Sequence, residues 1–194
     1  MSDLLRSDVE EIPLEYPVTT EIHFDDPAYG KALAAFYDAA CADLRARIEA
    51  GAEIVVPCEG DPFFYGSFMH LSTRLKDHVP VEVVPGITGM SAAWTASGAP
   101  ITWGDDVLSV VTATLPEVEL ERLFDQSDAL VVMKIGRNME KVRRALMRAG
   151  KYDRAWLVEC ASMTEECVIP LAEAEGRSVP YFSIVLVHGQ GRRP

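Results

Sequence analysis

The chain has 194 residues, 48% of them hydrophobic and 25% charged, a composition that lets it bury a full core as one domain or two small ones. Its net charge of −12 argues against nucleic acid as a partner, because phosphate binding needs a basic surface. No apolar run approaches the ~20 residues of a membrane helix, and the start Met-Ser-Asp-Leu-Leu-Arg-Ser-Asp has no basic segment leading into an apolar one, so a cytoplasmic location is expected.

Residues 1–26 carry eight acids against Arg6 alone, and Pro13 and Pro17 interrupt regular structure. An extended lead-in is expected there, with Ile12, Leu14, Tyr16 and Val18 alternating as in a short edge strand. Asp26-Pro27 then pairs an N-cap with proline at the first helical position. Leu33, Phe36, Tyr37, Ala40, Leu44 and Ile48 recur at helical spacing, which predicts a long amphipathic helix from about Pro27 to Ala50. After Gly51, the run Glu53 to Val56 predicts a buried strand entering the rigid loop Pro57 to Gly66, where Gly60 permits a positive φ and Pro62 fixes the backbone.

Phe68, Leu71 and Leu75 mark a second helix ending before Pro80, and Val81, Val83 and Val84 a second strand. That strand stops at Pro85-Gly86-Ile87-Thr88-Gly89, and Met90 to Ser97 predicts a short helix closed by Gly98. Two successive strands would thus end in Gly/Pro loops at one edge of a sheet, each followed by a helix. Exposed backbone amides in that setting favour a polar or carboxylate-bearing ligand.

A domain boundary is expected before Gly104, giving an N-terminal α/β domain over residues 1–103 and a C-terminal α/β domain over residues 104–194. Beyond it, Val107 to Val111, Ala129 to Met133, Ala155 to Val158 and Tyr181 to Val187 read as strands, with a short one at Val168. Pro116 to Phe124 and Asn138 to Ala149 read as helices, the second closed by Gly150. The alternation predicts an α/β fold whose sheet is mixed toward its end, where connections are short. The tail Gly191 to Pro194 is expected to be disordered.

Most familiar reaction chemistries are missing from the pattern. The cysteines Cys41, Cys58, Cys160 and Cys167 lack Cys-x-x-Cys spacing and are expected as buried thiols, and His23, His70, His78 and His188 are scattered, so no metal site is expected. Glu59-Gly60-Asp61-Pro62 is neither a P-loop nor a dinucleotide fingerprint, and no Gly-x-Ser-x-Gly elbow appears. Asp105 and Asp106 read either as general bases or as turn caps. Eight basic residues fall between Lys134 and Arg154, where the acids are Glu140 and Asp153; they read either as a solvated helix face or as a local counter-field for a polyanionic small molecule.

Four ordered motifs carry a resemblance. Glu59-Gly60-Asp61-Pro62-Phe63-Phe64-Tyr65-Gly66, Glu82-Val83-Val84-Pro85-Gly86-Ile87-Thr88-Gly89-Met90, Gly104-Asp105-Asp106-Val107-Leu108 and Met133-Lys134-Ile135-Gly136-Arg137-Asn138 resemble, together and in this order, the tetrapyrrole (corrin/porphyrin) methylases. The likeness runs from about Glu11 to His188. It implies a two-domain α/β homodimer that binds S-adenosylmethionine between its domains and methylates a meso carbon of a carboxylate-rich tetrapyrrole. It implies cofactor contacts at Glu59, Gly60, Asp61 and Phe64, at Thr88 and Gly89, and at the backbone of Ile135 and Ala161. Tyr65, Met90, Asp106 and Lys134 are the substrate-side candidates, with packing or capping as the other reading of Tyr65, Met90 and Asp106.

A methyl sulfonium donor is activated before it binds, so such an enzyme needs orientation more than acid or base chemistry. The family opens with a strand and a Gly-x-Gly-Pro-Gly-Asp-Pro loop; this chain has neither, so its N-terminal domain is expected to be incomplete. The alternative reading is a non-catalytic cofactor- or tetrapyrrole-binding remnant of the same fold.

Overall fold

The computed structural model describes residues 6–18 and 26–192, which divide into two compact units, Met1–Gly86 and Ile87–Pro194. The first unit is built on two helices, α1 (Pro27–Glu49) and α2 (Phe68–Leu75). Asp26 caps α1 as its sequence predicts, its carboxylate accepting the Ala28 N–H at 2.8 Å with Pro27 at the first turn. The buried stripe Tyr37, Ala40, Cys41 and Leu44 packs on Leu71, Leu75 and Val79. Tyr37 stacks on His70 with centroids 4.7 Å apart and shares a hydrogen bond with Tyr16 across 3.1 Å.

The two strands expected in this unit do not form. Residues 53–56 and 81–84 make no ladder, and neither do residues 12–18. Val55 is 81% exposed and Val84 73% exposed. β-branched residues favour a pleated, half-buried surface but do not make one; a strand exists when a neighbour takes its N–H and C=O groups, and no such pairing occurs among the described residues of this unit.

In the second unit the sequence pattern is realised closely. After α3 (Gly89–Ala96) come β1 (Leu108–Thr112), α4 (Glu117–Asp125), β2 (Ala129–Met133), α5 (Met139–Arg148), β3 (Ala155–Glu159), β4 (Cys167–Pro170) and β5 (Ser183–Val187). The sheet order is β1-β2-β5-β3-β4; β1 and β2 are parallel, and the pairs β2/β5, β5/β3 and β3/β4 are antiparallel. It is therefore mixed, as expected, and β1, β2 and β3 all point the same way. Tyr181 and Phe182 stand just outside β5, which starts at Ser183.

Both faces of this sheet are covered, so the strands read as continuous apolar runs rather than alternating ones. Leu130, Val132, Leu157, Val185 and Val187 face Leu120, Phe124, Val142 and Leu146 of α4 and α5. Val131, Val158 and Leu186 face Ala93 of α3 and Ile101. Burying one such side chain contributes roughly 1.5–3 kcal/mol, which is why this unit holds together around its sheet. Asp106 fastens the chain's end to it: its carboxylate accepts the N–H groups of Trp103 at 2.8 Å and Gly191 at 3.3 Å, and a Cβ at Gly189 or Gly191 would run into it. Gly191 is thus held in place, contrary to the expected disorder; Arg193 and Pro194 lie outside the described residues. Among the cysteines, Cys41 is buried and Cys160 and Cys167 are partly buried, but Cys58 is exposed, because it sits in the loop at Gly60 and not in a strand.

Within the basic run, the α5 side chains Lys141, Arg143, Arg144 and Arg148 have partners in the protein. Glu117 of α4 pairs with Arg144 at 2.6 Å and Arg148 at 3.4 Å, and Arg148 also pairs with Glu121. Lys141 donates to the Leu115 carbonyl at 2.8 Å, and Arg143 is buried against Tyr152. The hydrogen bond from Arg144, aided by Arg148 and Lys141, holds the Glu117 carboxyl below its ordinary value of 4.5. Its folded pKa being below the unfolded one, Glu117 contributes stability that is complete above about pH 4.5 and is lost as the pH falls through the folded value. Thermal unfolding of the wild type and Glu117→Gln is expected to separate near neutral pH and to converge as the pH falls through the lowered folded value; equal midpoints at neutral pH would show that the pair contributes nothing.

Candidate functional site

In the first unit, the loop following Val56 is held by one side chain. The Asp61 carboxylate accepts the Phe63 N–H through Oδ1 at 2.9 Å and the Gly86 N–H through Oδ2 at 3.1 Å. Phe64 N–H closes the turn on the Asp61 carbonyl at 3.1 Å. Asp61 therefore joins two loops distant in sequence, and the second approaches so closely that a Cβ on Gly86 would run into the Gly60 carbonyl. Glycine is required there. Gly60 has φ +77° and Tyr65 φ +54°, and Phe64 and Tyr65 rings meet edge to face at 4.8 Å. Glu59 and Gly60 are exposed, leaving their backbone open to a ligand.

In the second unit, Thr88 caps α3: its Oγ1 accepts the Ser91 N–H at 3.4 Å. Apart from its chain neighbours and its own helix backbone, no described atom lies within 4 Å of the place a Cβ of Gly89 would occupy, so the first turn of this helix can be approached by another molecule. Met90 is partly buried against the α3 side of the sheet, and the Asp106 carboxylate is committed to backbone amides. For these two substrate-side candidates the packing and capping readings describe what the side chains do.

The direction of β2 and β3 brings two further loops to one end of the sheet, on either side of the start of β5. The first is Lys134-Ile135-Gly136; the second is Cys160-Ala161-Ser162. Lys134 has φ +55°, Cys160 φ +50° and Ser162 φ +65°, and Gly136 has φ +38°. Left-handed backbone costs a non-glycine residue roughly 1–2 kcal/mol, and such residues gather where a site dictates the backbone. Among the described residues, Tyr65, Lys134, Cys160 and Ser162 are the non-glycine residues with positive φ, and each lies in or beside a loop that the sequence marks out. Ile135 has its side chain buried in the core, so a ligand there can meet its backbone alone. Ala161 is partly buried on the opposite face. The crevice outside the carboxyl ends of strands is where open α/β sheets bind ligands.

A family model described as Tetrapyrrole (Corrin/Porphyrin) Methylases matches residues 2–175. The chain belongs to the tetrapyrrole methylases. It is 49% identical, over 98% of its length and 78% of the other chain's, to a protein of a Sinorhizobium species named precorrin-2 C(20)-methyltransferase. It is 30% identical, over 87% of its length and 72% of the other's, to the cobalt-precorrin-2 C(20)-methyltransferase of Salmonella typhimurium LT2. Among solved structures it is similar to the uroporphyrin-III C-methyltransferase of Thermus thermophilus complexed with S-adenosyl homocysteine, with a TM-score of 0.57, 26% identity and coverage of 77% of this chain and 72% of that one.

This methylase also carries residues at the same sheet end that sequence reasoning passed over. Glu159, the last residue of β3, is 5% exposed and pairs with Arg177 at 2.8 Å. Tyr181, 90% exposed, meets Phe182 edge to face at 5.1 Å beside the start of β5, and the Phe182 carbonyl accepts the Cys160 N–H at 2.8 Å. A charge closing an apolar strand was the available signal for Glu159. Tyr181 and Phe182 were hidden in an apolar run that reads as strand.

Proposed function

We propose that this tetrapyrrole methylase transfers the methyl group of S-adenosylmethionine to carbon 20 of precorrin-2, or of its cobalt-bearing counterpart, in cobalamin biosynthesis. The observation that carries the reading is the 49% identity over 98% of the chain to the Sinorhizobium protein of that name. The loops fit such a cofactor: they are glycine-bearing, exposed, and offer backbone groups where an amino-acid and nucleoside ligand has polar atoms to satisfy. Glu59, Gly60, Asp61 and Phe64 of the first unit and Thr88, Gly89, Ile135 and Ala161 of the second are the proposed cofactor contacts. The cofactor supplies an electrophilic methyl group on a sulfonium.

The chain's own part is orientation. Asp61 holds its loop against Gly86, so the backbone at Gly60 is set before a ligand arrives, and the left-handed residues fix the carbonyl and amide directions at Ile135 and Ala161. Tyr65 and Lys134, exposed and left-handed, are the proposed substrate-side residues, and the exposed rings of Tyr181 and Phe182 suit a flat macrocycle. We further propose a homodimer in the cytoplasm; no helix among the described residues is long and apolar enough to cross a membrane.

Isothermal titration with S-adenosylhomocysteine, followed by methyl transfer to precorrin-2 and to its cobalt-bearing counterpart, tests the function. Micromolar binding, about −8 kcal/mol, and a product heavier by one methyl group are expected. A folded protein that binds no S-adenosylhomocysteine, or binds it and leaves both precorrin-2 and its cobalt-bearing counterpart unchanged, overturns the reading.

A further inference from the structure

We infer that the Glu159–Arg177 pair is a positioning device that holds the Cys160-Ala161-Ser162 loop in its left-handed form; its relevance to binding rests on reading this sheet end as a cofactor wall. Glu159 Oε2 accepts from Arg177 Nη2 at 2.8 Å, while Oε1 is buried with no hydrogen-bond partner among the described residues. Glu159 is buried while Arg177 reaches solvent, and a carboxylate taken out of water and left half-satisfied is a poor source of stability. What the pair does achieve is geometric. Glu159 is the residue from which the chain leaves the sheet, opposite Cys167 on one side and Ser183 on the other, and the next three residues include two with positive φ.

Arg177 sits at the other end of this tie. It follows Gly176, φ +71°, in the segment leading to β5, and lines a groove of about 480 Å³ with Gly136, Arg137 and Met139. One ion pair thus links the end of β3 to the wall shared with the loop after β2. Among the described residues, the loop's other ties are single: Cys160 N–H to the Phe182 carbonyl at 2.8 Å, Ser162 N–H to Glu166 Oε2 at 2.6 Å, and Met163 N–H to the Cys160 carbonyl at 2.9 Å. None of these fixes the carboxylate from which the loop departs. Without Arg177, that carboxylate would be charged, buried and unpaired, and would pull the end of β3 toward water.

The test compares the wild type, Arg177→Met and the double variant Glu159→Gln with Arg177→Met, in the absence of ligand and with S-adenosylhomocysteine. In the free protein, Arg177→Met is expected to speed hydrogen exchange at Cys160, Ser162 and Met163 about tenfold or more while the amides of β2 and α5 keep their protection. The double variant, which buries no unpaired charge, is expected to regain the wild-type melting temperature but neither the loop protection nor the affinity, which falls about tenfold. Wild-type loop protection in the double variant overturns the inference and leaves the pair a structural one. Should Arg177→Met fail to fold, the double variant makes the same comparison alone. A loop whose protection depends on Arg177 in a wild-type protein that ignores S-adenosylhomocysteine keeps the positioning role and overturns the cofactor reading.

Discussion

Gly86→Ala is expected to weaken S-adenosylhomocysteine binding about 100-fold, or close to 3 kcal/mol, without shifting the melting of the second unit. The new Cβ would run into the carbonyl of Gly60 and lie 3.3 Å from the Asp61 Cα, all of it backbone that cannot rotate aside. Overpacking of this kind costs typically 1–3 kcal/mol. Relief requires the two loops to part, which also breaks the hydrogen bond from the Gly86 N–H to Asp61 Oδ2. Asp61→Asn is the graded companion: one acceptor remains and an amide N–H₂ replaces the other, so a loss of about tenfold is expected. Titration calorimetry reads both. Wild-type affinity in Gly86→Ala would show that the apposed loops are not part of the site.

The largest stability effect is expected at Phe124. It is fully buried between α4 and the sheet, with Leu120, Leu130 and Leu146 in the same cluster. Phe→Ala in such a core costs about 3–5 kcal/mol, from lost transfer energy and an unfilled cavity. For a unit whose total stability is of order 5–15 kcal/mol, this is a drop of at least ~10 °C in melting temperature by circular dichroism. Val118→Ala on the exposed face of the same helix is expected to stay within about 0.5 kcal/mol. A small loss at Phe124 would mean that the cluster collapses into the space.

The contrast between the two units explains why one half of the fold could be read from the chain and the other could not. Helices satisfy their own backbone, so Asp26-Pro27 with its apolar stripe determined α1, and Phe68, Leu71 and Leu75 determined α2. The strands of the second unit were legible because each buried run has a neighbour in register. Residues 53–56 and 81–84 carry the same β-branched signal and form no strand, because pairing is a property of two segments and sequence shows one at a time.

The site divides in the same way. The glycine loops were determined by the sequence: Gly60, Gly86, Gly89 and Gly136 stand where backbone must turn or be approached, and their spacing carries the family likeness. Charge runs were not. Arg144 and Arg148 of α5 are matched by Glu117 and Glu121 across a helix pair, a neutralisation set by packing. Only the tertiary structure decided that β2 and β3 end together around the start of β5, that Asp61 joins two loops 25 residues apart, and that the buried Glu159 is paired with Arg177. The physical reason is common to all three: backbone preference is local and survives in the sequence, whereas the partner of a strand, a carboxylate or a buried charge is chosen by the fold.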